Sequence, residues 1–253
     1  MPSVLAIAAH PDDIEFLMAG TMVRLRQRGW ELHCFNLCDG CLGSTTMDET
    51  TTRAVRLGEA RAAAKRLGAV HYEPIERDME LLYTIEKMRQ VAAVVRQANP
   101  DIVLTHSPVD YMEDHQNASR LAVSAAFSRG MPNFKTLPPF PPIEKPVAVY
   151  HAQPHGHQTP LGEWVQAELW IDVEPVFAEK EAALSCHASQ RQWLDTSQGM
   201  DNYVATLREL AQTAGRLSGR FQLAEGWRRH VHWGFCDPSF DPLARELGGD
   251  VLK

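Results

Sequence analysis

The chain has 253 residues, of which 44% are hydrophobic and 23% are charged, proportions typical of a globular protein. Its formal net charge of −7 makes nucleic acids and anionic membrane surfaces unfavourable partners, because both are polyanions. No stretch approaches the ~20 apolar residues of a membrane span, and the start Met1–Val4 lacks the basic region of a signal peptide. We therefore expect a cytoplasmic protein without a membrane span.

In the first half of the chain, the predicted strands and helices alternate. The apolar run Val4–Ala9 predicts a buried strand, and the residues after it are spaced for one apolar helix face. The next predicted strands are Trp30–Cys38, Val70–Tyr72 and Ile102–Thr105, and the predicted helices are Arg53–Gly68, Thr84–Ala98 and Gln116–Ser128. This alternation predicts right-handed βαβ units and a mostly parallel α/β sheet flanked by helices, in a single domain.

The second half of the chain is less regular. The proline-rich stretch Gly130–Pro146 predicts an irregular segment that serves as a lid or a subunit contact. Late strands are predicted at Val147–Tyr150 and Glu168–Val173, and late helices at Glu179–Ser189 and Met200–Gly215, the last continuing as a broken helix towards Arg229. We expect a core over about residues 3–190 and a helical C-terminal extension over about 191–253.

The five cysteines do not form a recognisable disulfide framework, because their number is odd and they are scattered along the chain. Cys38 and Cys41 have CxxC spacing, which zinc or redox sites use, but no second such pair exists. We interpret the cysteines as free thiols, mostly buried.

Two groups of polar residues follow strands of the predicted sheet. His10-Pro11-Asp12-Asp13 comes directly after the first strand, and the segment His106–His115 follows the fourth. Parallel strands point their carboxyl ends to one edge of the sheet, and ligands bind at that edge. The sequence therefore predicts that both groups contribute to one site.

The residue types in these groups suit a catalytic metal. His10, Asp13 and His115 provide two imidazoles and one carboxylate, which is how catalytic zinc is held with one open position for water. Asp12 is expected to be the general base that activates this water, because adjacent side chains diverge and Asp12 cannot easily bind the same ion. Asp114 suits a hydrogen-bond acceptor that fixes the tautomer of a ligand imidazole.

Each of these residues also has an ordinary interpretation. His10 and His115 could be polar residues at helix starts, and the two aspartates could be charges that favour a helix N-terminus. A second metal chemistry is also open, since His10, Asp12 and His115 satisfy the two-histidine, one-carboxylate pattern of Fe(II) oxygenases. That pattern usually lies on an all-β fold, which disagrees with the alternating strands and helices.

Four segments in the same order resemble the motifs of the LmbE-like / PIG-L de-N-acetylase superfamily. They are Ala9–Asp13, which is followed by Glu15 and Gly20, then Arg56–Glu59, Thr105–His115 and Cys186–Gln190. The resemblance implies a Rossmann-like α/β fold and a zinc-dependent hydrolase that removes an acyl group, usually acetyl, from an N-acylated amino sugar. Another divalent metal such as Fe²⁺ is an alternative, and homo-oligomers are expected.

The resemblance also implies roles for individual residues. His10, Asp13 and His115 would bind zinc, Asp12 would be the base, and Arg56 would contact the substrate, since a guanidinium suits bidentate recognition of oxygens. The alternative for Arg56 is an ordinary salt bridge to a glutamate, Glu59 or Glu49.

One position departs from the family pattern. Well-studied branches carry a histidine three residues before the ligand histidine, whereas this chain has Met112. In those branches the histidine acts as the general acid or stabilises the oxyanion, which a thioether cannot do. In this chain the role could pass to Asp12, to His106, or to one of the two expected substrate-binding histidines, His155 and His157. Otherwise the protein is a non-catalytic or chemically diverged member that binds a sugar or nucleotide.

Overall fold

The computed structural model describes residues 1–190, 203–248 and 251–252. Five parallel strands form one half of its sheet: β1 (Ser3–Ala8), β2 (Glu31–Asn36), β3 (Ala69–Tyr72), β4 (Ile102–Thr105) and β5 (Ala148–Ala152). Strand β1 lies in the middle, with Leu5 opposite His33 of β2 on one side and opposite Val103 of β4 on the other. The predicted α/β fold is confirmed.

The helices are α1 (Asp13–Leu17), α2 (Ala19–Arg26), α3 (Glu49–Leu67), α4 (Ile85–Ala98), α5 (Glu113–Ser128), α6 (Phe177–Leu184), α7 (Tyr203–Ser218) and α8 (Pro242–Leu247). Helix α3 begins four residues before its predicted start, because the Asp48 side chain accepts a hydrogen bond from the Thr51 amide and caps it. It ends at Gly68, whose φ of 71° is left-handed. Within the described ranges, no helix is both long and apolar enough to cross a bilayer.

Helices cover both faces of the sheet, so every residue of β1 is buried. Val4, Ala6 and Ala8 pack into one apolar cluster, and Leu5 and Ile7 pack into the other. This arrangement explains why β1 reads as a continuous apolar run rather than as an alternating pattern.

Three antiparallel strands extend the sheet beyond β5, in the order β5-β7-β6-β8. They are β6 (Leu169–Asp172), β7 (Ala224–Arg229) and β8 (Val251–Leu252). The prediction that the C-terminal part is helical up to Arg229 is therefore wrong for 224–229, which pair with β5 and β6 as a central strand. The first residues of the predicted helix, 200–202, lie outside the described residues, and the stretch 130–146 contains neither helix nor strand.

A buried ion pair connects this antiparallel half to the rest of the fold. Lys180 of α6 and Glu225 of β7 are 1% and 5% exposed, and Lys180 Nζ lies 2.5 Å from Glu225 Oε1. The Glu225 carboxylate also accepts hydrogen bonds from the Gly20 and Thr21 amides, each at 2.8 Å, at the start of α2. The carboxylate thus has a partner for each oxygen and faces the positive end of a helix dipole.

Replacing Lys180 with methionine should lower the free energy of unfolding by about 3–5 kcal/mol, because the Glu225 charge would stay buried without its cation. Chemical denaturation measures this change. Arg61→Met is the matched control, since the Arg61–Glu73 pair is exposed and such pairs contribute about 1 kcal/mol or less. Equal effects of the two substitutions would contradict the prediction.

Candidate active site at a metal-ligand cluster

The two predicted groups of polar residues meet where the strand order reverses. Strands β1 and β4 are neighbours and parallel, with Ile7 opposite Thr105, although β2 and β3 lie between them in sequence. His10 follows β1, and the loop from His106 leads from β4 into α5, which carries His115. This position is the topological switch point, where open α/β sheets bind ligands.

Three of the predicted ligands form a compact cluster. His10, Asp13 and His115 each offer one ligand atom, and these atoms lie within 4.8 Å of one another. The Nε2 of His115 is 3.4 Å from Asp13 Oδ1; it is buried and has no hydrogen-bond partner among the residues that the structure describes. An orphaned imidazole nitrogen facing a carboxylate and a second imidazole fits a divalent cation, so the donor set suits the implied metal.

Two further carboxylates hold the imidazoles. His10 Nε2 lies 3.0 Å from Asp114 Oδ2, and His115 Nδ1 lies 2.9 Å from Asp110 Oδ1. His10 can thus donate its Nε2–H to Asp114, and His115 can donate its Nδ1–H to Asp110. The remaining ring nitrogens, Nδ1 of His10 and Nε2 of His115, face Asp13. Asp114 can act as the expected acceptor that fixes the tautomer of a ligand imidazole, but the imidazole is that of His10 and not that of His115, the next residue on α5. Asp110 was not predicted, although its position five residues before His115 was a usable signal.

The electrostatics of the cluster favour a positive charge. Burial alone would raise the pKa of Asp13, but the charges of His115 and His106 and the hydrogen bond with His10 hold it well below its usual range. Burial alone would lower the pKa of His10, but its hydrogen bonds with Asp114 and Asp13 outweigh this effect and raise it to about 10. A cation bound here must displace the His10 proton, so its affinity should fall with decreasing pH.

Asp12 lies beside the cluster, and one of its carboxylate oxygens is bound by other groups. Its Oδ2 accepts a 2.6 Å hydrogen bond from the Tyr203 hydroxyl and lies 3.6 Å from Arg56 Nη2. Burial raises the pKa of Asp12 despite the opposing charge of Arg56, and the charge of Asp13 raises it further. Its φ of 111° is a strained backbone conformation for a residue other than glycine, and such strain is concentrated at functional sites.

Arg56 lies in the wall of the same cavity, but much of its guanidinium already has a partner. Its Nη2 donates a 2.6 Å hydrogen bond to the Pro11 carbonyl and lies 3.6 Å from Asp12 Oδ2. The alternative salt bridges are not formed, because Glu59 binds Ser189 and Glu49 pairs with Arg77 instead. Arg56 thus holds the backbone and side chain of the first motif.

A cavity of about 420 Å³ opens above the cluster. His10, Asp12, Asp13 and His115 form its polar floor together with Arg56. Apolar residues make much of the wall: Phe16, Leu17, Leu42, Met79, Tyr111 and Met112. The cavity therefore combines a charged floor with a wall that suits an apolar or ring-shaped group.

The histidines considered as replacements at Met112 differ in position. His155 lines the cavity, with its ring 5.9 Å from that of Tyr111. His157 is not part of the cavity wall; its Nε2 donates a 3.0 Å hydrogen bond to the Leu210 carbonyl. His106 is fully buried below the floor, where its Nε2 accepts a hydrogen bond from the Ala9 amide.

Replacing Asp110 with asparagine should weaken binding of the metal by about 10- to 100-fold, because His115 would lose the carboxylate that orients it. Competition titration of zinc against a chromophoric chelator measures this affinity. Asp241→Asn is the control, since Asp241 accepts a hydrogen bond from Tyr150 and does not line the cavity. An unchanged affinity in Asp110→Asn would contradict the assignment of His115 as a ligand.

Comparison with known proteins identifies the family. The model of the PIG-L family, described as GlcNAc-PI de-N-acetylase, matches residues 5–126. The 4-oxalmesaconate hydratase of Pseudomonas putida is 30% identical over 205 residues, covering 74% of this chain and 74% of the hydratase. The chain belongs to the PIG-L family.

Other PIG-L relatives extend the likeness over most of the chain. The diacetylchitobiose deacetylase of Thermococcus kodakarensis is 29% identical over 233 residues, covering 89% of this chain and 82% of the deacetylase. The crystal structure of GalB, a 4-carboxy-2-hydroxymuconate hydratase from Pseudomonas putida, superposes with a TM-score of 0.74 at 26% identity. The superposed region covers 91% of this chain and 97% of GalB. The family and fold predicted from the motifs are confirmed, and the names of the relatives specify two different reactions, deacetylation and hydration.

Proposed function

We propose that this PIG-L protein is a metal-dependent amidohydrolase that removes an acetyl group from an N-acetylated amino sugar or glycoconjugate. The observation that carries the proposal is the cluster of His10, Asp13 and His115 on the floor of a cavity, with Asp12 beside it and bound to other partners. The deacetylase relative supports the reaction class. A small-molecule substrate, a homo-oligomeric enzyme and a cytoplasmic location belong to the same proposal, as the sequence predicts.

In this proposal, His10, Asp13 and His115 hold a divalent cation, with zinc as the first choice and Fe²⁺ as the alternative. When bound, such a cation polarises the acyl carbonyl and lowers the pKa of water. Asp12 accepts the proton of the attacking water, while Asp110 and Asp114 keep the ligand imidazoles in place. The C–N bond then breaks, and the products are a carboxylate and a free amine.

The leaving amine needs a proton, which a thioether at Met112 cannot supply. We propose that Asp12 delivers the proton that it accepted from water, since its raised pKa lets the carboxyl group hold that proton between the two steps. His155 is the other candidate, because it lines the cavity. His106 is a poor candidate, since it is buried and bound to the Ala9 amide.

Hydration of a carbon–carbon double bond is the second candidate function, favoured by the 30% identical hydratase. The relatives' names specify substrates that carry carboxylates, which arginine or lysine side chains usually bind. In the part of the chain that the structure describes, Arg56 is the one such residue that lines the cavity, and it already binds Pro11. Because the cavity wall offers so few cationic side chains to bind several carboxylates, a neutral amino-sugar substrate fits better.

The test is an assay of purified protein loaded with zinc against N-acetylglucosamine and diacetylchitobiose. We expect acetate and primary amine to appear in equal amounts, detected by an enzyme-coupled acetate assay and by an amine-reactive fluorophore. Parallel reactions with 4-carboxy-2-hydroxymuconate monitor hydration by the loss of its conjugated absorbance. Hydration without amide hydrolysis would reverse the assignment, and turnover of neither class would favour a non-catalytic member.

A further inference from the structure

The late helix α7 contributes a side chain to the site from far along the chain. Tyr203, at the start of α7, is fully buried, and its hydroxyl donates a 2.6 Å hydrogen bond to Asp12 Oδ2. The Phe16 ring meets the Tyr203 ring edge-on, with centroids 5.0 Å apart. Tyr203 lies outside residues 5–126, so the matched part of the family model does not include it.

The two partners of the Asp12 carboxylate lie on the same oxygen. Tyr203 Oη is 2.6 Å and Arg56 Nη2 is 3.6 Å from Oδ2, whereas no hydrogen bond between residues of the described ranges reaches Oδ1. A carboxylate with one oxygen held in this way has a fixed orientation and keeps the other oxygen available. Since Asp12 lines the cavity, Oδ1 is the oxygen left to accept a proton there.

We infer that Tyr203 is a positioning residue for the reaction, because its hydroxyl fixes the orientation in which Asp12 meets the attacking water. This inference rests on the proposed function, in which Asp12 is the base. Helix α7 takes part in the site at a second point, since Thr206, one turn after Tyr203, lines the cavity. The C-terminal part of the chain therefore completes a site whose proposed metal ligands all come from the first half.

The test compares two substitutions that each remove a buried tyrosine hydroxyl. In Tyr203→Phe the bond to Asp12 is lost, and in the control Tyr150→Phe a 2.8 Å bond to the Asp241 carboxylate is lost away from the cavity. We expect Tyr203→Phe to lower kcat by about 10- to 100-fold, as for a hydrogen bond to a charged group, with KM and zinc content unchanged. Tyr150→Phe should keep the wild-type kcat, because its effect is on stability alone.

A double-mutant cycle with Asp12→Asn separates positioning from a merely structural role. In the Asp12→Asn background, Tyr203→Phe should cause no further fall in kcat, since the base that it orients is already absent. A wild-type kcat in Tyr203→Phe, or an equal fall in both backgrounds, overturns the inference.

Failure of the proposed function would be visible separately, as wild-type protein that releases no acetate. In that case the inference is decided by thermal unfolding of the same four proteins. Non-additive changes of Tm for the two substitutions support the Tyr203–Asp12 bond on which the inference depends, and additive changes overturn the inference.

Discussion

Replacing Asp12 with asparagine is expected to lower kcat for deacetylation by about 10²- to 10⁴-fold while leaving the zinc content at the wild-type level. Asparagine has nearly the same shape but cannot accept the proton of the attacking water. The cluster of His10, Asp13 and His115 does not include Asp12, so metal binding should persist. Steady-state kinetics and metal analysis of the same preparation measure both quantities.

The metal content is the decisive control for this experiment. A variant that loses its metal together with its activity would make Asp12 a ligand, as in the two-histidine, one-carboxylate pattern of Fe(II) oxygenases. Asp241→Asn provides the reference for an aspartate outside the cavity and should keep both activity and metal. An Asp12→Asn enzyme with wild-type kcat would exclude Asp12 as the base.

Replacing His115 with alanine is expected to remove stoichiometric metal and to lower kcat/KM by on the order of 10³-fold or more. One of three protein ligands would be missing, and the carbonyl of the substrate would no longer be polarised. Mass spectrometry of the metal after dialysis and an acetate assay on the same sample test this expectation.

His71→Ala is the matched control for His115→Ala. His71 lies on β3 at the edge of the sheet, and its nearest acidic partner is Glu73 at 3.9 Å. This variant should retain both metal and activity. A His115→Ala protein that behaves in the same way would remove the basis of the metal site and of the hydrolase proposal.

The parallel half of the fold could be predicted because its signals are local. The apolar run of β1, the cap of α4 at Thr84 and the left-handed Gly68 each act within a few residues. The antiparallel half could not be predicted in this way. Residues Ala224–Arg229 contain good helix formers, yet they form a strand because β5 and β6 supply hydrogen bonds on both sides.

The proposed metal ligands could be predicted because His10 and Asp13 lie three residues apart, directly after β1. The third ligand, His115, belongs to the polar segment that follows the neighbouring strand β4. The groups around them were harder to find. Asp110 looked like one more polar loop residue, and the partners of Arg56 depend on how α3 packs against the first motif. Nothing near Tyr203 in the sequence indicates a contact with Asp12, which is 191 residues away.

By itself, the sequence determined the family, the α/β architecture and the convergence of two ligand-bearing loops, because strand direction alone sends both to one edge of the sheet. Only the tertiary structure decided which carboxylate orients which imidazole, and that Asp12 faces Tyr203 and Arg56 while Asp13 faces the histidines. These choices depend on distances of a few ångströms between segments far apart in sequence. Packing fixes such distances, and residue spacing does not encode them.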